Sequence, residues 1–104
     1  MKLDFAHKKS IKEQIREIFQ HEDEIEKVVL FGSFLSSDDP NDIDLAIFQN
    51  SKDNYLTLSL KYRKLLRNIN YLIPVDLIPI SNGRQNDFTL VELKDGEVLY
   101  ERRH

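Results

Sequence analysis

Three carboxylates are spaced as if to share a cation. Asp42 and Asp44 are separated by one residue. On an extended strand they leave the same face, about 6–7 Å apart along the backbone. Two anions on one face of a half-buried strand repel each other, and nothing apolar in the pattern accounts for them. A bound divalent cation removes the conflict, because magnesium takes carboxylate oxygens together with waters and substrate phosphates. Asp76 lies between Val75 and Leu77, so pleating turns it to the face opposite those two. If its strand pairs with the one bearing Asp42 and Asp44, all three carboxylates meet. Upstream, Gly32-Ser33 ends the run Val28-Val29-Leu30-Phe31. There a backbone N–H and a hydroxyl can face a phosphate, and a side chain at position 32 would block its approach. Singly, each piece has a plainer reading: a solvated strand end for Asp-x-Asp, an ordinary turn for Gly-Ser, an exposed edge position for Asp76.

The elements that must position these groups follow from periodicity. Ile11, Ile15, Ile18 and Phe19 form one stripe, with Lys12, Glu13, Arg16 and Glu17 elsewhere, which predicts a helix over 8–21. Val28 to Phe31, short and rich in β-branched residues, reads as a buried strand. Residues 34–41 read as a loop, followed by a strand over 42–48 with Ile43, Leu45 and Ile47 on one face and Asp42, Asp44 and Ala46 on the other. After a turn at 50–54, Leu58, Tyr62, Leu65, Leu66 and Ile69 predict a helix over 55–70. A third strand is expected at 73–80, where Pro74 and Pro79 point to an edge or to strand ends. The tail suggests a short helix over 87–94, a turn at Asp95-Gly96 and a strand over 97–101. This order gives one α/β (α+β) domain over residues 1–104, a small mixed sheet with helices packed on one face.

Composition narrows the partners. The content, 40% hydrophobic and 32% charged, is that of an ordinary soluble domain. The apolar runs are too short to span a bilayer, and Met1 to Phe5 does not open a signal peptide, so a cytoplasmic location and no membrane partner are expected. No cysteine is present, which excludes disulfides and thiolate zinc sites. A net charge of −3 disfavours broad nucleic-acid binding. The three glycines, Gly32, Gly83 and Gly96, are too far apart for either glycine-rich nucleotide fingerprint. His7, His21 and His104 lack metal-ligand spacing and read as surface residues.

In combination and in this order the pieces become specific. The stretch Val28 to Phe34, with Gly32-Ser33, followed by Asp42-Ile43-Asp44-Leu45-Ala46-Ile47, resembles the polymerase β-type nucleotidyltransferase superfamily and in particular its minimal nucleotidyltransferases. In that family a Gly-Ser pair precedes an Asp-x-Asp strand and a third acidic residue lies on a later strand, here Asp76. The ending Asp95 to Glu101 resembles how these short domains close. Three features depart from the pattern. Members often have ten residues between the Ser and the first Asp, whereas Phe34 to Asn41 makes eight, and Ser36-Ser37 stands where many have a second glycine. Asn41 also replaces the Ser that usually precedes the first Asp.

The resemblance implies two-metal nucleotidyl transfer from magnesium-ATP. Asp42 and Asp44 would hold the metal on the triphosphate. Both, with Asp76, would hold the one that activates the acceptor hydroxyl, with Asp76 as general base. Gly32 N–H and Ser33 Oγ would bind the departing pyrophosphate. Relatives of this size lack an acceptor domain, so the acceptor is expected on a partner or a second copy. The resemblance points to a tyrosine of a HEPN-type helical toxin, with this chain as antitoxin. Two alternatives are a non-catalytic binding module with a vestigial nucleotide site, favoured by the shortened loop, and transfer to a small molecule such as an aminoglycoside. Leu56 and Leu60 fall opposite the core stripe of their helix, beside Arg63 and Arg67. They read either as a docking face or as leucines tucked under a loop.

Overall fold

The computed structural model describes residues 2–81 and 94–103. Helix α1, Phe5–Gln20, starts before the apolar periodicity does, because Asp4 caps it: its carboxylate accepts from the His7 backbone N–H at 2.8 Å. Ile11, Ile15 and Phe19 are its buried stripe. Strand β1, Ile25–Phe31, also begins ahead of the apolar run, since Ile25 is fully buried while Glu26 and Lys27 are only partly so. A single turn of helix, α2, Ser33–Ser36, occupies the start of the segment expected to be loop. Strand β2 spans Ile43–Gln49.

The helix expected over 55–70 is divided at Leu66 into α3, Tyr55–Leu65, and α4, Arg67–Leu72. Asn54 caps α3 by accepting from Thr57 N–H at 2.9 Å. Both pieces keep the expected stripe inward: Leu58, Tyr62, Leu66 and Ile69 are buried and Leu65 partly so. Strand β3 is Val75–Ser81 and strand β4 is Glu97–Glu101. The short helix expected over 87–94 lies outside the described residues except for Lys94, which is in a turn with Asp95.

The four strands form one mixed sheet in the order β3-β2-β1-β4. β1 is antiparallel to β2 and β4, and β2 is parallel to β3. A parallel pair needs a crossover, which α3 and α4 supply. β3 is an edge, as its prolines suggested. Ile43 N–H bonds the Pro74 carbonyl at 2.8 Å, so Val75, Leu77 and Pro79 turn their backbone groups away from β2. Pro79 therefore sits where a missing N–H breaks no bond to β2. The outward Val75 N–H and carbonyl are met by Asn70 Oδ1 at 2.9 Å and by the Arg63 guanidinium at 3.4 Å.

The helices pack on one face of the sheet, as expected. The main core joins the α1 stripe, Leu58, Tyr62 and Ile69 to Val28, Leu30, Ile43, Leu45, Ile47, Val75, Leu77 and Leu99. Phe19 and Tyr62 meet edge to face with centroids 5.8 Å apart. The opposite face carries a smaller apolar cluster of Val29, Ala46, Phe48 and Ile80, with Phe31 against it. That face also bears Asp44 and Asp76, by the same alternation. Among the described residues no helix is long and apolar enough to cross a membrane.

Candidate active site

The sheet brings the three carboxylates together. Asp42 immediately precedes β2, Asp44 is the second residue of β2, and Asp76 is the second residue of β3. The parallel register sets Asp44 directly beside Asp76. One oxygen from each of Asp42, Asp44 and Asp76 lies within 4.8 Å of the others, and among the described residues this is the one acidic group so arranged. Oxygens on opposite sides of a magnesium ion lie about 4.2 Å apart, twice the metal–oxygen distance. The spread of the three oxygens is close to that separation. The donors are hard oxygens, the type magnesium takes, so the residues fit the cation that the sequence pattern implies.

The electrostatics agree. The Asp42 carboxyl is pushed above the usual carboxylate range, first by burial, then by the charge of Asp76, and then by a hydrogen bond with the Asp76 carboxylate. Carboxylates held this close repel each other, so the site favours a positive charge between them.

Gly32 is fixed by this cluster. Its φ of 80° and ψ of −158° fall in a region that is essentially confined to glycine. A Cβ there would run into the Asp44 carboxylate, with Asp44 Cγ only 3.2 Å away. The expected reason for a glycine was access for a phosphate; the structure supplies a nearer one, the seating of Asp44 against the backbone. Ser33 follows at the start of α2, half-buried, and its carbonyl accepts from Ser37 N–H at 2.8 Å.

The short loop after Ser33 is pinned by residues that periodicity did not single out. Phe34 is fully buried in the main core. Lys8 lies over its ring, 5.4 Å from the centroid, and donates to the Ser37 carbonyl. Leu3 N–H bonds the Asp38 carbonyl at 2.8 Å. The signal for Phe34 was in the sequence, an aromatic residue directly after Gly-Ser in an otherwise polar stretch. Nothing local marked Lys8, which acts across 29 positions.

A cleft of about 650 Å³ lies between α1, α2 and β4, behind α2 rather than at the carboxylates. Within it Lys12 pairs with Glu97 at 3.0 Å and Arg16 donates to the Leu99 carbonyl at 3.1 Å. His7 and His21 are exposed and bonded to Asp4 and Glu17 of their own segment, as expected of surface histidines; His104 lies outside the described residues.

The chain matches known proteins in family and in fold. The family model described as "Polymerase beta, Nucleotidyltransferase" matches residues 13–104. In fold the chain is similar to a chain from the complex of tri-AMPylated Shewanella oneidensis HEPN toxin with MNT antitoxin. The TM-score is 0.64 at 18% identity, covering 91% of this chain and 73% of that one. It is similar also to a chain of the toxin–antitoxin MntA-HepT, with TM-score 0.62 at 18% identity, covering 90% and 73%. At that identity the likeness speaks to the fold. No curated protein matches in sequence.

Proposed function

Because the chain belongs to the polymerase β nucleotidyltransferase family, we propose that it transfers AMP from ATP to a hydroxyl of a protein partner, a tyrosine of a HEPN-type toxin, and so acts as an antitoxin. The observation that carries the chemistry is the convergence of Asp42, Asp44 and Asp76 within 4.8 Å. The partner is suggested by the two structures of similar fold, both toxin–antitoxin complexes with a HEPN or HepT component. An open site on the sheet also suits an acceptor that arrives on another molecule.

In this mechanism Asp42 and Asp44 would hold a cation serving the triphosphate, and the same two with Asp76 would hold one serving the acceptor. Magnesium bound there would supply charge neutralisation for the phosphates and would ease ionisation of the attacking hydroxyl. Asp76, the most exposed of the three, takes the acceptor proton on a carboxylate oxygen. Gly32 N–H and Ser33 Oγ hold the departing pyrophosphate. Positioning and charge compensation are most of what such chemistry asks of a protein.

Asp44→Asn tests the proposal. It keeps volume and removes one charge, so the metal-free protein folds with an equal or higher melting temperature as repulsion falls. Loss of a cation ligand costs transfer roughly three decades in rate, about 4 kcal/mol. The assay follows label from α-labelled ATP into the HEPN-type protein of the same genome. Wild-type labelling that is abolished in Asp44→Asn, with partner binding retained, supports the mechanism. A variant that labels at the wild-type rate removes it, and absence of labelling by the wild type favours the non-catalytic module that the shortened loop suggests.

A further inference from the structure

We propose that the outer face of α3 and α4 is the docking surface for that protein partner, which presents to it an apolar helical stripe bordered by carboxylates. The inference rests on the transfer-to-protein reading above and adds where the partner sits. Leu56, Leu60, Arg63 and Arg67 recur at intervals of four, three and four residues, which places them on one face of successive helical turns. The core residues Leu58, Tyr62, Leu66 and Ile69 occupy the opposite face. The structure decides between the two sequence readings of the leucines: Leu56 is 66% and Leu60 60% exposed, so neither is tucked under a loop. Tyr55 beside them is 59% exposed, and Tyr71 at the far end of the stripe 84%. Large apolar side chains clustered in this way mark interaction sites more often than scattered single ones do.

Charge specifies the occupant. Residues 55–72 contain Lys61, Arg63, Lys64 and Arg67 and no acid, whereas the whole chain carries −3. The segment is thus +4 and the remainder −7. Lys61 is engaged with Glu22 and Glu24 on the flank, which leaves Arg63, Lys64 and Arg67 to border the leucines. The complement is an apolar stripe with acidic edges. A nucleic acid would set phosphates against Leu56 and Leu60, and a second copy packed face to face would set cations against cations.

The surface reaches the β3 edge of the sheet, whose other face carries the candidate active site. Arg63 of the stripe donates to the carbonyl of Val75, the residue before Asp76, and Asn70 of α4 accepts from its N–H. Asp76 lies on the other face of that strand, so a partner seated here brings an acceptor hydroxyl to it by reaching round the β3 edge.

The test is calorimetry of the HEPN-type protein of the same genome against the wild type and Leu56→Glu/Leu60→Glu. Both leucines are exposed, so the double variant keeps the wild-type melting temperature within a few degrees. It binds roughly a hundredfold or more weakly, and its transfer reaction shows a raised KM with kcat unchanged. Wild-type affinity falls with added salt, and Arg63→Glu/Arg67→Glu weakens binding in the same direction. Hydrogen exchange on the wild-type complex gives an answer independent of any variant, with protection expected over residues 55–72. Equal binding by the double variant, or protection confined to other segments, overturns this inference and leaves the reaction standing. If the wild type binds no partner, the transfer-to-protein reading fails and takes this one with it. Wild-type self-association abolished by the double variant assigns the face to a second copy and also overturns the proposal.

Discussion

Gly32→Ala separates the parts of the site more cleanly than loss of a carboxylate does. Two costs follow from the structure. Holding an alanine at φ 80° and ψ −158° costs about 1–3 kcal/mol of backbone strain. The new Cβ also overlaps the Asp44 carboxylate, which must rotate off its preferred position at a further ~0.5–1.5 kcal/mol. Together these give about 2–4 kcal/mol, below the ~5–15 kcal/mol of a typical domain, so the variant still folds. In a domain of this size that lowers the melting temperature by roughly 10–20 °C. The displaced Asp44 leaves the cluster, so manganese or magnesium binding by calorimetry weakens in the same variant. Urea unfolding measures the first effect, with an unchanged slope showing that only stability moved. The double variant Gly32→Ala/Asp44→Ala divides the two costs: it relieves the overlap but not the backbone strain, so the pair is non-additive by about the overlap term. Gly32→Ala unfolding within ~0.5 kcal/mol of wild type, as expected of an exposed Ser36→Ala control, would refute the conformational argument. Full additivity in the double variant would refute the contact with Asp44.

Other outcomes follow from the same geometry. Ser33→Ala weakens magnesium-ATP binding in calorimetry without lowering the urea midpoint, and failure of the wild type to bind at millimolar nucleotide counts against a working phosphate site. Phe34→Ala, which empties a fully buried position under Lys8, costs about 3–5 kcal/mol by urea unfolding, whereas a cost near zero would mean that the loop is not anchored there. Glu24 gives a pH signature. Burial alone would raise its carboxyl, but the hydrogen bond from Lys61, its own backbone amide, the Lys61 charge and the Tyr62 hydroxyl outweigh that and hold it below the usual range. Its stabilisation is therefore present above the unfolded value of about 4.3 and is lost as pH falls through the lower folded value. Glu24→Gln is accordingly less stable at pH 7 by roughly 1 kcal/mol or less, and its urea midpoint converges with wild type towards pH 3.

The sequence by itself determined most of the elements and which carboxylates share a strand face. Alternation over Asp42 to Phe48 puts both carboxylates on one face whatever the strand pairs with, because the pleat is local. The stripes Ile11-Ile15-Phe19 and Leu58-Tyr62-Leu66-Ile69 likewise state which helical faces are buried. Boundaries were less legible where a cap or a single buried side chain outweighs periodicity, as at Asp4, Ile25 and the break at Leu66. Only the tertiary structure decided what depends on distant segments meeting. The pairing of β2 with β3 and its register, which set Asp44 beside Asp76 across 32 positions of chain, are such a case, since a slip of one residue would turn Asp76 away. The conformation of Gly32 is another: glycine adopts it without steric cost, and the fold seats Asp44 where a side chain would stand. The loop held by Lys8 and the exposure of Leu56 and Leu60 belong to the same class. A helical wheel shows which side of a helix is apolar, but what covers that side is fixed by the packing of the rest of the chain.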